Sequence, residues 1–342
     1  MASGNQSTLL NTLTFSELTD LVRREWIYTK EHIAREAKQL FISDMVGAGQ
    51  GSSKRYKEVD TETYADFKAE GANHTKSKVG IGYEVDMNAR TFSKEIEITL
   101  EMRNDNRYQE VGSYITSLAE FCENRLDLDL THRISFATAT SYTDKNGEVV
   151  PTTVGDGLAL ASASHTLAFS PTTYSNRVSG DPTFSQGSYE AALLLGATQI
   201  YSNFGEKRNM NFNVVFSGDD PSTVREIRQL LESIGDIDGQ HAGIVNVYNE
   251  SARHIMLPNL ATTAAGAYDS TKRKWWGVAA VGQGMNGWQA YYGTWISPKF
   301  HTPQQGSNAE DIHNLSWFYV TYTRYGIAIP SPKGFILSAP TS

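Results

Sequence analysis

Apolar positions along this chain follow two rhythms, and the places where one gives way to the other mark its elements. The opening rhythm is helical. Thr14 and Glu17 form a capping-box pattern, and Leu18, Leu21, Val22, Trp26, Ile33, Ala37 and Leu40 follow at helical spacing. This predicts a helix that ends in the glycine-rich Met45–Ser53 stretch, where Gly47, Gly49 and Gly51 supply a hinge. From Lys54 to Met102 the rhythm shortens to two. Ile81, Tyr83, Val85 and Met87 alternate with Gly82, Glu84 and Asp86, and Ile96, Ile98, Leu100 and Met102 alternate with acidic or hydroxyl residues. Such alternation predicts strands with one buried face. Between Tyr56 and Lys78 the chain is highly charged and poor in apolar residues. A two-stranded excursion this polar builds no core of its own. Tyr56, Tyr64, Phe67, Lys68, Lys76 and Lys78 are therefore expected to lie against a neighbouring subunit.

The strongest periodicity comes next. Tyr108, Val111, Ile115, Leu118, Ala119, Cys122, Leu126, Leu130, Ile134 and Ala137 fall on one helical stripe, with Asn104 or Asp105 as cap. Glu110, Ser113, Glu120, Asn124, Asp127 and His132 take the other face. Unbroken to Ala139, this helix would be roughly 50 Å long, a structural axis. After a turn at 142–147 and a loop-rich 156–182, Ser185 caps a helix through Tyr189, Ala192, Leu193, Leu195 and Ile200. Asn213–Phe216 reads as a strand, Asp220 and Pro221 as the N-cap and first residue of a helix that stops at Gly235. Val245, Val247 and Ile255–Leu257 suggest further strands, as do Val278–Val281, Trp288–Trp295 and Leu315–Ile329. The class is α+β, with a central unit in which strands and helices alternate.

Composition narrows the function. The chain has 342 residues, 39% of them hydrophobic, and no apolar run near the ~20 residues that cross a bilayer. Its N-terminus reads as lacking a signal peptide. The single cysteine, Cys122, excludes an internal disulfide framework and suits a reducing cytoplasm; on the helical stripe it reads as packed, not nucleophilic. A net charge of −8 argues against a dedicated nucleic-acid binder but suits a wall that must not cling to DNA.

Gly282-Gln283-Gly284-Met285-Asn286-Gly287 matches G-x-G-x-x-G and carries the one enzymatic alternative, a nicotinamide oxidoreductase. A dinucleotide site needs a helix next, and Trp288-Gln289-Ala290-Tyr291-Tyr292 favours strand instead. Asp236–Gly239 lacks the later ligands of a calcium loop, and the histidines lack metal-ligand spacing. Lys54-Arg55-Tyr56-Lys57 reads as a solvated or intersubunit salt-bridging strand rather than a phosphate site. No catalytic, cofactor or metal site is expected.

The order of elements resembles the Hong Kong 97-like capsid fold: an N-terminal arm with a helix (1–46), an extended β-loop (47–105), a peripheral domain (106–150 and 290–342) built on a spine helix, and a central α/β axial domain (151–289). More narrowly, the chain is similar to the Mu-like major head subunits of tailed bacteriophages. Asp156-Gly157-Leu158-Ala159-Leu160-Ala161-Ser162-Ala163-Ser164-His165 resembles their DGxxLFSxxH stretch, and Tyr174-Ser175-Asn176-Arg177 follows at a similar distance. Ser188–Leu193, Val214–Phe216 and the Pro221–Ser233 helix match later segments, although Phe216–Pro221 lacks the usual apolar-proline run.

The resemblance implies a shell subunit that assembles with itself as pentamers and hexamers in the host cytoplasm and ends in the virion, around double-stranded DNA bound without sequence preference. It implies as partners a separate scaffolding protein, since no fused scaffold is seen, a portal, and decoration proteins where a shell carries them; it implies no cofactor and no membrane. Some relatives join subunits by a lysine–asparagine isopeptide, for which Lys68, Lys76 or Lys78 would supply the amine. Encapsulin-type compartments share the fold and are the near alternative.

Overall fold

The computed structural model describes residues 15–32, 35–47, 49–99, 101–102, 105, 108–199, 202–208, 210–235, 245–284, 287–302 and 316–341. Thr14, Ile33, Leu100, Asn104, Ile200, Met285, Asn286, Leu315, the 236–239 turn and the side chains of Glu17, Leu18, Leu21, Tyr108, Glu110 and Val111 lie outside the described residues.

In chain order, an N-terminal helix (Phe15–His32) precedes a 3₁₀ turn (Glu36–Leu40) and strand β1 (Ile42–Met45). A hairpin of β2 (Ser53–Thr61) and β3 (Val79–Asn88) leads through β4 (Arg90–Ile98) to the long helix, Tyr108–Ser135. Short pairs follow, β5 (Ser141–Thr143) with β6 (Val149–Pro151) and β7 (His165–Thr166) with β8 (Thr173–Tyr174). The helix Gln186–Gln199, β9 (Val214–Ser217), the helix Pro221–Glu232 and β10 (Arg253–Met256) come next. Strands β11 (Trp276–Ala279), β12 (Gln289–His301), β13 (Trp317–Ser331) and β14 (Phe335–Ser338) complete the chain.

These strands form two four-stranded sheets, ordered β1-β12-β13-β4 and β10-β9-β11-β14. In the second, β9, β11 and β14 are buried on both faces, which is why they read as largely apolar runs, while the edge strand β10 is partly exposed. Val214, Phe216, Ala279, Phe335 and Leu337 face a core completed by Leu126, Leu130, Ile134 and Trp288. Val215, Trp276, Val278 and Ile336 face Tyr189, Ala192, Ile227 and Leu230 of the two shorter helices. Asp220 accepts from Thr223 N–H at 3.1 Å ahead of Pro221, the cap expected from sequence. At the other end of the long helix, Ile115, Leu118 and Ala119 pack with Ile98, Trp317 and Tyr319 of the first sheet and with Val22 and Trp26 of the N-terminal helix.

Several sequence expectations change. The first helix stops at His32 instead of running through Leu40, and Ile42–Met45 pairs in parallel with β12. The β-branched Ile42 suits a strand, and Trp288 Nε1 donates to Leu40 O at 2.7 Å, fixing the turn that precedes it. The long helix ends at Ser135, about 42 Å from its start. Met102 is helical, not strand. Val245 and Val247 form no strand and are 71% and 84% exposed. After Ser331 the chain crosses to the second sheet, so Phe335–Ser338 completes the central unit and not the peripheral one expected for 290–342.

Candidate functional site

The β2–β3 hairpin is seated on its own chain at the root and inner half, while its outer face and tip are left exposed. At its root, Gly47, Gly49 and Gly51 have φ of 77°, 97° and 80°, the left-handed region that side chains rarely adopt. A Cβ at any of them would meet nothing within 4 Å, so backbone conformation and not crowding requires glycine. Trp295 Nε1 ties the stretch down by donating to Gly51 O at 2.9 Å. Just beyond, Tyr56 stacks on Tyr291 with ring centroids 4.5 Å apart. Tyr56 was expected against a neighbouring copy; it lies on its own chain because β2 turns this side toward the first sheet. Its hydroxyl and Lys54 Nζ both donate to Asp44, and these bonds hold the Asp44 carboxyl below its ordinary pKa. Arg55 pairs with Asp86 at 2.7 Å and Lys57 with Glu84 at 3.0 Å, so this basic run is a ladder of cross-strand ion pairs.

Farther out, the polarity of the hairpin inverts. The register slips between Lys57–Glu84 and Val59–Ile81, a bulge that places Gly82 and Tyr83 opposite Glu58. An extra residue flips the alternation of β3. Ile81, expected on the buried face with Val85 and Met87, is therefore 51% exposed. Val59 and Val79 are exposed beside it, while the inward side carries Glu58 and Asp60, both almost fully buried. Buried charges need partners, and here the rest of the chain supplies them. Lys333 Nζ lies 2.8 Å from Glu58 Oε1, and Arg208 Nη2 pairs with Asp60 and donates to Thr61 O at 3.1 Å. Asn203 N–H donates to Asp60 Oδ2 at 2.6 Å, and Ser331 Oγ donates to Glu58 at 3.0 Å. Gly82 lets β3 come this close, since a Cβ there would sit 2.7 Å from both Asn203 Nδ2 and Glu58 Oε2. The inner half of the excursion is thus held by its own chain, which its charged sequence did not foretell.

Beyond the strands the tip is exposed from Thr63 to Lys78. Phe67 is 95% and Tyr64 64% exposed, though the Tyr64 hydroxyl donates to Lys207 O at 3.3 Å. Lys68 and Lys76 are exposed, and Lys78 reaches only a loose pair with Glu62 at 3.8 Å. Val59, Val79 and Ile81 share the outward face of the strands, and Tyr64 and Phe67 are exposed at the tip.

The long helix supplies the rigid body behind this arm. Ile115, Leu118, Cys122, Leu126, Leu130 and Ile134 are all buried. Burial raises the Cys122 thiol pKa, and its Sγ lies 3.6 Å from Thr321 Oγ1. Asp127 and His132, expected on an exposed face, are buried too. The 259–272 segment covers them: Asn259 Nδ2 donates to Asp127 at 2.7 Å, and His132 Nε2 meets Thr262 Oγ1 at 3.1 Å. The Asp156–His165 motif closes a loop. His165 Nδ1 lies 2.7 Å from Asp156 Oδ2, and Asn176 Nδ2 donates to Leu160 O at 2.7 Å. Burial raises the Asp156 pKa, but hydrogen bonds from His165 and two backbone N–H groups outweigh it and leave the carboxyl below its ordinary range. Past Gly282 and Gly284, both at positive φ, the chain enters β12, so a strand stands where a dinucleotide site requires a helix.

No protein-family model matches the chain, and no curated protein matches it in sequence. Solved structures do. The capsid structure of the cyanophage P-SCSP1u is 13% identical with a TM-score of 0.51, over 89% of this chain and 87% of that one. A structure from Microbacterium phage Oxtober96 is 10% identical with a TM-score of 0.50, over 90% and 91%. The capsid asymmetric unit of cyanophage Pam1 is 12% identical with a TM-score of 0.50, over 88% and 89%. The mixed α and β fold of this chain is the fold of these phage structures. No described helix is long and apolar enough to cross a membrane.

Proposed function

We propose that this chain is the major capsid protein of a tailed bacteriophage or prophage, assembling as pentamers and hexamers into the head that encloses double-stranded DNA. The observation that carries the reading is the inverted hairpin: charges inside, apolar residues outside. An isolated subunit gains nothing from exposing Phe67, Ile81 and Val79, whereas a second copy that covers them removes apolar surface from water. The shared fold with phage capsid structures supports the same reading, and the Asp156–His165 and Tyr174–Arg177 stretches favour the Hong Kong 97-like fold in its Mu-like form. The role is structural and not enzymatic. A scaffolding protein, a portal and decoration proteins are the partners this function calls for, in the host cytoplasm first and in the virion afterwards.

Assembly tests it. Purified chain, with and without a scaffold supplied from the same genome, should give closed shells of uniform diameter in electron micrographs. A monomer at every concentration under both conditions would overturn the proposal.

A further inference from the structure

A partly enclosed cavity of about 190 Å³ lies where the root of the hairpin, the long helix and the β5–β6 pair meet. Arg90 at the start of β4, Arg125, Asp129 and Arg133 on the long helix, and Asp86 on β3 supply its charged lining. Four of these five charges are matched. Asp86 pairs with Arg55 at 2.7 Å, and Arg90 with Glu148 at 3.2 Å. Arg125 pairs with Asp129 at 3.0 Å and with Asp144 at 2.8 Å, and the Tyr325 hydroxyl donates to Asp129 at 2.6 Å. Arg133 is left over. Its Nη1 donates to the Pro151 carbonyl and its Nε is buried without an acceptor, and among the described residues no carboxylate forms an ion pair with it.

A buried charge without a counter-charge is costly, and a guanidinium has five N–H donors to place. Burial is the main cause that lowers the Arg133 pKa; Tyr142 and Asp129 oppose it, and the neighbouring Arg90 guanidinium adds to it. Two like charges therefore stand close together at this cavity, one of them without a carboxylate. We infer that the cavity binds a small oxyanion of the phosphate class, with Arg133 and Arg90 as its cationic clamp. Planar guanidinium forks donate to two oxygens of such an ion at once. The two cations come from different elements, and a tetrahedral ion presents oxygens to both, whereas the two oxygens of a carboxylate would be taken up by one fork. The cavity has room for the ion and several waters. Asp86, Asn88 and Pro151 are exposed in its lining, so it communicates with solvent. Its aromatic wall is preformed: Phe92 stacks on Tyr325 with ring centroids 4.7 Å apart, and Arg125 lies over Phe92 at 5.1 Å.

Arg90 stands two residues beyond the end of the hairpin, Arg133 near the C-terminal end of the long helix, and Pro151 at the end of β6. An ion held between the two arginines would brace the hairpin root against the long helix and supply the counter-charge that Arg133 lacks. Phosphate in solution would then stiffen the join between the arm and the rigid body behind it. The site lies within one chain and does not depend on the shell reading.

Calorimetric titration of the purified full-length subunit with inorganic phosphate, at ionic strength held constant with sodium chloride, tests it. Saturable binding of one ion per chain is expected at millimolar concentration or below, with a matching rise in melting temperature. Glycerol phosphate titrated in parallel identifies the source, since the tighter of the two shows whether a free ion or a phosphate ester is preferred. Arg133→Met should weaken binding roughly tenfold or more, as loss of a charge-assisted contact does, yet melt no lower than the parent in phosphate-free buffer, because it removes an unmatched buried charge. Arg90→Gln, at a part-exposed position, should also weaken binding and serves if Arg133→Met does not fold. Absence of saturable binding of either phosphate by the folded parent chain would overturn the proposal. So would binding that the folded variants leave unchanged.

Discussion

Phe67 offers the sharpest separation of folding from assembly. It is 95% exposed in the subunit, so its ring contributes almost nothing to the stability of one chain. If a neighbouring copy covers it in a shell, full burial of a Phe side chain is worth about 2 kcal/mol per contact. In a closed shell each subunit gives one such contact and receives one, so Phe67→Ala should weaken assembly by about 2 kcal/mol per subunit. That corresponds to a roughly 30-fold rise in the concentration at which shells first appear. Light scattering across a dilution series, checked by electron microscopy, measures that threshold, and urea denaturation of the unassembled subunit measures the fold. The expected result is a raised threshold with subunit stability unchanged to within about 0.5 kcal/mol, as for a surface substitution. An unchanged threshold, or a subunit destabilised by as much as the shell, would refute the reasoning.

The remaining predictions concern the root, the cluster and the core. Alanine at Gly47, Gly49 or Gly51 should cost about 1 kcal/mol each in urea denaturation, because only the positive φ opposes it; proline at all three should leave soluble subunits that form no regular shells by microscopy. Gly82→Ala should lower the melting temperature markedly, since its Cβ would press on Asn203 and Glu58 and part a buried ion pair worth about 3 kcal/mol or more when broken. His132 and His254 are held neutral, their pKa lowered to about 4, by burial first and then by Lys272 and Arg125 for His132 and by Arg228 for His254. In that situation the unfolded chain binds more protons between about pH 6.5 and 4, so stability should fall as pH drops through that window, by up to about 3 kcal/mol for each histidine. Denaturation midpoints against pH should show that slope, and His254→Gln should flatten it; an unaltered slope would remove His254 from the account.

Much of this fold is written locally. The stripe from Ile115 to Ile134, the Asp220–Pro221 cap, the doubly buried run Val214–Phe216 and the glycines at 47, 49 and 51 all depend on neighbours within a few residues, and periodicity or turn chemistry reveals them directly. Local pattern also exposed the hairpin. What it could not supply was the identity of whatever covers each face. Asp127 and His132 look solvent-facing until a segment more than a hundred residues later folds over them. Ile81 looks buried until a bulge turns it outward, and the four residues of β14 are too few to show a rhythm at all. The buried cluster under the hairpin joins residues 58, 203 and 333, which no spacing rule connects. Periodicity reports that a side of an element is covered, because one chain segment repeats its own geometry. Only the packing of distant segments decides what covers it, and therefore which charges meet.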